Sequence, residues 1–214
     1  FKSHIRPGMT VVDIGAHIGF FTRLFSRRAG SSGKVIAFEA DAENYDLLTK
    51  NTNNRLNVVR VPVAIGDHEG TIDFYHLEGS TGCHSTVLPE TKAQKVTVPL
   101  TTLDAKLTEL EVDRVDLIKM DIEGGEPLAL KGMLNTLKNN PNVMLVTEFN
   151  PSAIASGNTS PTEYLHSIEE LGFKLYAITK GHLLTTSSAT IMEQLSNFHR
   201  TGYINILCSR RDVV

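Results

Sequence analysis

Hydrophobic and polar positions along this chain switch repeatedly between two periods. Short apolar runs at residues 10–14 (Thr-Val-Val-Asp-Ile), 34–38 (Lys-Val-Ile-Ala-Phe) and 58–63 read as buried strands. Between them apolar residues recur at helical spacing. Phe20, Phe21, Leu24 and Phe25 fill the first interval, closed by Gly30 and Gly33, and Tyr45, Leu47 and Leu48 fill the second. This strand–helix–strand–helix–strand order requires parallel pairing, because each crossover helix returns the next strand in the same direction.

The middle of the chain breaks the rhythm. Residues 66–70 (Gly-Asp-His-Glu-Gly) form a turn into an alternating strand at 71–75, expected at an edge or flap. Residues 77–94 are polar and rich in Gly, Ser and Thr, which predicts a long loop of the kind that often carries function. Residues 95–100 alternate again, and 103–110 predict a short helix. The α/β alternation then resumes with a strand at 115–120. A helix follows, with Pro127 near its start and Leu130, Met133, Leu134 and Leu137 on its apolar face. A strand at 143–149 precedes the capping box Ser160-Pro161-Thr162-Glu163, which opens a helix through Leu171. Strands at 174–179 and 203–208 complete the count, with a weaker helix at 191–197. No repeat or linker divides the chain, so the expectation is one doubly wound α/β domain over residues 1–214.

Composition adds little to that picture. The 214 residues suffice for one such core, and 41% hydrophobic with 21% charged residues is ordinary for a globular chain. A formal charge of -3 gives no electrostatic footprint for nucleic acid. Cys83 and Cys208 match no metal spacing, and no disulfide framework is expected, which points to a reducing compartment. No apolar run has the length of a membrane span and no secretory segment opens the chain. The expectation is a cytoplasmic protein without nucleic-acid or membrane partners.

Three clusters carry chemistry. The first is residues 11–19, Val-Val-Asp-Ile-Gly-Ala-His-Ile-Gly. Asp13 stands at the end of the first strand, and Gly15 and Gly19 lie in the turn before the first helix. Glycine lets a ligand press on the backbone, and the helix start offers N–H donors to an anion while turn carbonyls accept from an ammonium. A ligand with both charges, such as the amino-acid end of S-adenosylmethionine, suits this turn. A dinucleotide suits it less, since His17 and Phe20 stand where the Gly-x-Gly-x-x-Gly fingerprint needs glycine. The second is Glu39, closing the next strand at the distance where an acid commonly accepts from ribose hydroxyls. Asp67, in the turn after the third strand, is a candidate for the adenine edge. The third is residues 119–126, Lys-Met-Asp-Ile-Glu-Gly-Gly-Glu, at the carboxyl end of the fourth strand. In an extended segment Asp121 and Glu123 face the same way and could position a hydroxyl, take its proton or hold a cation. Glu126 reads as an N-terminal charge of the next helix.

Together these residues resemble the FkbM family of S-adenosylmethionine-dependent methyltransferases. The matching stretches are residues 12–19, 37–40 (Ala-Phe-Glu-Ala), 64–67 (Ala-Ile-Gly-Asp), 102–104 (Thr-Leu-Asp), 119–124 and 148–149 (Glu-Phe), in the family's order. The resemblance implies a class I methyltransferase sheet, Rossmann-like, of seven mostly parallel strands with an antiparallel last strand at 203–208. It also implies methyl transfer to a hydroxyl oxygen of a small molecule or glycan. By position, Asp13, Gly15, Ala16, Gly19 and Glu39 are implied as cofactor residues, with Asp67 near adenine. Asp121 and Glu123 fall in the reaction pocket, Asp121 also beside the cofactor, and Glu148 is similar to an acid facing that pocket. His17 and Ala40 occupy cofactor positions where the family often has asparagine and proline. Family members usually carry upstream helices over the acceptor, whereas here the first strand starts about ten residues in. A fragment or a minimal form is therefore expected.

The implied mechanism gives Asp121 or Glu123 the task of orienting or deprotonating the hydroxyl, while Lys119 steadies local charge. His84, in the polar loop, is a second candidate base. No histidine pair sits at metal spacing, so any metal would be held by carboxylates. Competing readings are a non-catalytic domain that binds the adenosyl cofactor and a nicotinamide-dependent oxidoreductase. A nucleic-acid methyltransferase is disfavoured by the lack of an Asn/Asp-Pro-Pro-aromatic run and of basic excess.

Overall fold

A computed structural model describes residues 2–77, 93–196 and 202–213. The first three strands are β1 (Thr10–Ile14), β2 (Lys34–Phe38) and β3 (Val58–Val61), joined by α1 (Phe20–Ala29) and α2 (Ala42–Thr52). Then come β4 (Ala64–Ile65), β5 (Gly70–Leu77), β6 (Ala93–Thr101) and α3 (Leu103–Glu109). The second α/β run holds β7 (Leu117–Met120), α4 (Glu126–Lys131), α5 (Leu134–Asn139), β8 (Met144–Phe149), α6 (Pro151–Ser156) and α7 (Pro161–Glu170). It ends with β9 (Lys174–Thr179), β10 (His182–Thr186), α8 (Ser188–Ser196) and β11 (Ile204–Ser209).

The main sheet has the order β10-β9-β11-β8-β7-β1-β2-β3. Pairs β1–β2, β2–β3, β1–β7 and β7–β8 are parallel, and β11 runs antiparallel between β8 and β9. The seven expected strands are all present, and β10 adds an eighth at the edge, as an antiparallel hairpin partner of β9. After β3 the chain crosses from one side of β1 to the other, to β7. Open α/β sheets hold ligands beyond the strand carboxyl ends at such a reversal.

Several boundaries differ from the pattern-based expectation, each for a local reason. β3 stops at Val61 because Pro62 has no N–H to give a ladder. The strand expected at an edge or flap is β5, which pairs with β6 in a separate three-stranded sheet completed by β4. The single helix expected across 127–137 is two: α4 ends at Gly132 and Met133 leaves the helical region at φ -124°. The start of α6 was legible but unread, since Asn150 accepts the N–H of Ala153 at 3.2 Å and Pro151 opens the helix. Ser160 caps α7 as expected, accepting the N–H of Glu163 at 3.3 Å.

Period two sorts the strand side chains. On one face Val12, Ile14, Ile36, Phe38, Ile118, Met120 and Leu145 form the larger core with α3 through α8. On the other, Val11, Val35, Ala37 and Leu117 pack under α1 and α2, against Phe25, Ala29 and Leu48. Continuing that second face toward the carboxyl ends gives Asp13, Glu39, Lys119, Asp121 and Glu148. The α1-side face therefore turns from apolar to ionic at the rim where a ligand would sit.

The break between α4 and α5 is built on a close backbone crossing. A Cβ on Gly132 would lie 1.8 Å from the carbonyl oxygen of Gly66. Gly132→Ala is therefore expected to cost about 2–3 kcal/mol of stability, as overpacking against fixed backbone does. A urea unfolding midpoint equal to wild type would contradict this crossing.

Candidate active site

Where β1 ends, the chain turns so tightly over β7 that a side chain cannot fit. Gly15 has φ 74°, and a Cβ there would stand 2.0 Å from the Asp121 carbonyl oxygen. The N–H groups of Gly15 and Ala16 both donate to the Phe38 carbonyl, at 3.1 and 2.9 Å. His17, at φ 52°, turns its N–H onto Glu39 Oε2 at 2.7 Å, while Asp41 N–H reaches Oε1 at 2.9 Å. Each Glu39 oxygen thus keeps further acceptor capacity. Burial pushes the Glu39 carboxyl above its ordinary pKa, against the opposing pull of those two backbone donors.

Below this turn lies a buried ion group. The β1–β7 register sets Asp13 directly beside Lys119. Lys119 Nζ is 3.6 Å from Asp13 Oδ1 and 3.4 Å from Asp121 Oδ2, and donates to the Gly15 carbonyl at 3.2 Å. It also lies 5.2 Å above the Phe21 ring. Thr22 Oγ1 donates to Asp13 Oδ2 at 2.6 Å. Burial raises the Asp13 pKa against the pull of Lys119. For Lys119 burial acts downward, but Asp13 and Asp121 outweigh it and the ammonium is held above its ordinary value.

These elements surround a cavity of about 290 Å³. Gly15, Ala16, His17, Glu39, Ala40, Lys119, Asp121, Glu123 and Glu148 all line it, so most of the sequence-predicted positions converge there. Asp13 does not: it is wholly buried beneath the turn and supports it through Thr22 and Lys119. Gly19 also lies off the cavity, as the N-cap of α1 with φ 89°. Asp67 points elsewhere and pairs with His68 at 2.7 Å, so the wall after β3 is the apolar run Val63, Ala64 and Ile65 instead. His84 lies outside the described residues. Sequence reading passed over Phe20, Phe21, Asn44 and Ile122, which also line the cavity. Asn44 sits in the first turn of α2, where its N–H meets Asp41 Oδ1 at 2.7 Å, and no motif flags it.

Asp121 and Glu123 do come together, though not by strand alternation. β7 ends at Met120, and residues 121–125 form a turn in which Glu123 takes φ 52°. This carries Glu123 back toward Asp121 and Glu148, and one oxygen from each of the three lies within 4.8 Å of the others. Such an oxygen set suits a hard divalent cation as well as hydroxyl groups. Burial raises the Glu123 pKa, with the Asp121 charge adding to it. For Glu148, burial and then the Asp121, Glu123 and Glu126 charges push the value up to about 8.

The model of the methyltransferase FkbM domain matches residues 13–175. The chain belongs to this family. It is 31% identical to the methyltransferase sdnD of Sordaria araneosa over 156 aligned positions, covering 58% of this chain and 60% of that protein. It is 28% identical to the hexuronic acid methyltransferase AglP of Haloferax volcanii over 126, covering 59% of this chain and 50% of AglP. The chain thus spans about half to three-fifths of these relatives' length. The crystal structure of the methyltransferase FkbM from Methylobacillus flagellatus KT shares the fold, with a TM-score of 0.55 at 16% identity over 94% of this chain and 43% of that one. Other structures with this fold include S-adenosylmethionine-dependent methyltransferases, and that of Aeropyrum pernix fibrillarin holds natively bound S-adenosylmethionine. Among the described residues no helix is long and apolar enough to cross a membrane.

The raised acids make stability depend on pH with a definite sign. Glu148 titrates near 4.5 when unfolded and near 8 when folded. Its protonated form therefore favours folding below about pH 4.5, and that contribution fades as pH rises through 8. Glu148→Gln, which cannot ionise, should gain stability relative to wild type between about pH 5 and about pH 9. Urea unfolding at both values checks this, and a difference that does not change with pH would contradict it.

Proposed function

We propose that this chain binds S-adenosylmethionine in the cavity at the tips of β1, β2 and β7 and transfers its methyl group to a hydroxyl oxygen. The observation that carries this reading is charge. Among the described residues three carboxylates, Glu39, Asp121 and Glu123, line the cavity against one lysine, Lys119, which is already engaged, and Glu148 beside them adds a fourth charge as pH rises through about 8. The cofactor carries an ammonium and a sulfonium against one carboxylate, so a net cation meets a net anionic wall. A dinucleotide would bring its pyrophosphate against the same wall, and like charge rejects the wrong ligand. Glu39 fits a ribose, since both oxygens keep acceptor capacity after taking one N–H each. Ala40, Val63, Ala64 and Ile65 offer an apolar wall for adenine.

The bound cofactor would supply an activated methyl group, leaving alignment and proton removal to the protein. Holding the acceptor oxygen in line can contribute several kcal/mol on the order of effects seen for oriented reactants. Asp121 and Glu123 are suited to accept from the acceptor hydroxyl, and a positioned base adds roughly 10²–10⁴-fold. Glu148 keeps its proton up to about pH 8, so it can donate a hydrogen bond when protonated and take a proton when ionised. Clustered carboxylates suit a partner rich in hydroxyl donors, which favours a small polyol or glycan. The Haloferax relative is a hexuronic acid methyltransferase, which supports a sugar acceptor.

Titration calorimetry with S-adenosylmethionine, followed by mass spectrometry of a hydroxyl-acceptor panel that includes hexuronic acids, tests the reading. Cofactor binding and a product one methyl heavier are expected, whereas binding without transfer to any acceptor would favour a cofactor-binding module. Glu39→Ala should weaken cofactor binding by about 1.5–3 kcal/mol, the value of hydrogen bonds to a charged group. Unchanged affinity would remove Glu39 from the ligand.

A further inference from the structure

The turn that carries Glu123 into the cavity is held by a carboxylate that does not line it. Glu126, the first residue of α4, is only 2% exposed. Its Oε1 accepts the N–H of Ile122 and its Oε2 the N–H of Gly124, both at 2.9 Å. These two N–H groups flank Glu123, which sits at φ 52° with Gly124 at φ 102°. A left-handed conformation at a residue other than glycine is strained and persists only where surrounding contacts over-determine it. Like charge on Asp121 further resists the approach of Glu123. The turn's own closing bond, Gly125 N–H to the Ile122 carbonyl at 3.3 Å, spans Glu123 without gripping it.

We propose that Glu126 is a positioning residue that acts through Glu123, clamping the turn in the conformation that gathers Asp121, Glu123 and Glu148. What the gathered acids do rests on the methyltransferase reading above, but the clamp itself does not. Both Glu126 oxygens must accept, because each faces an N–H. A glutamine offers one accepting oxygen and one NH₂ donor, so one backbone N–H would be left facing another donor. The helix-terminal charge read from sequence is thus the lesser part of what Glu126 does.

The test follows the Glu148 carboxyl by ¹³C NMR titration in wild type, Glu123→Gln, Glu126→Gln and the double variant. The charged groups acting on Glu148 are Asp121, Glu123, Glu126 and Lys119. Glu123→Gln should lower the Glu148 midpoint by about half a pH unit or more, as losing a close like charge does. Glu126→Gln should lower it comparably. If Glu126 works through Glu123, adding Glu126→Gln to Glu123→Gln should shift the midpoint clearly less than Glu126→Gln does alone, the remainder being the direct effect of the Glu126 charge. A Glu126→Gln effect of equal size with and without Glu123 would reduce Glu126 to a nearby charge and overturn the proposal. Should Glu126→Gln fail to fold, Gly124→Ala strains the same turn without changing charge, and the same dependence on Glu123 is expected. No ligand enters these titrations. A chain that shows the coupling yet binds no S-adenosylmethionine keeps the clamp and loses the functional reading.

Discussion

Everything at this site depends on one buried ammonium. Lys119 is the point where the tips of β1 and β7 meet, touching Asp13, Asp121 and the Gly15 carbonyl. Without it Asp13 would be a wholly buried carboxylate beneath α1 with no compensating charge, a cost that normally drives protonation or rearrangement. With it, Asp13 anchors the turn through Thr22, and Gly15 is drawn down onto the Asp121 backbone. The ion group is therefore the floor of the cavity, and its distances decide where the lining acids stand. Lys119 serves chemistry by fixing geometry more than by presenting a charge to a ligand.

From that floor the cavity takes its character by simple alternation. Residues two apart on β1, β2, β7 and β8 share a face, apolar where α1 and α2 cover it and ionic beyond their cover. The result is a wall with more negative groups than positive ones, partly shielded from water. Burial and mutual repulsion raise the pKa of those acids, Glu148 to about 8, and burial raises Glu126 behind the wall to about 7. A cavity in this condition favours a cationic ligand, because that ligand relieves the repulsion that the fold has imposed.

The sheet was largely legible in the sequence because its strands are short continuous apolar runs, the signature of burial on both faces. The turn at Gly15 and the acid at Glu39 were legible for a different reason: their chemistry is local, an acid or glycine at a strand tip. What sequence missed is set by distance in three dimensions. Asp13 looks like a ligand residue from its position beside the glycine turn, yet β1–β7 register gives it to Lys119. Asp67 sits in a matching stretch, but the neighbouring Val63, Ala64 and Ile65 form the wall. Asp121 and Glu123 meet because a left-handed turn folds back, a feature that strand periodicity cannot express. Glu126 reads from sequence as an N-terminal helix charge, while its burial and two backbone bonds appear only once the turn is built.

The central claim is that this acid-walled cavity receives the cationic form of an adenosyl amino acid. Calorimetry in buffers of different ionisation enthalpy counts the protons released on binding. It should be run near neutral pH with S-adenosylmethionine and with S-adenosylhomocysteine, which lacks the sulfonium charge. The account predicts that the sulfonium ligand expels more protons, since it lowers the pKa of the raised acids that it approaches. Equal proton release by the two ligands, or binding of neither, would contradict it.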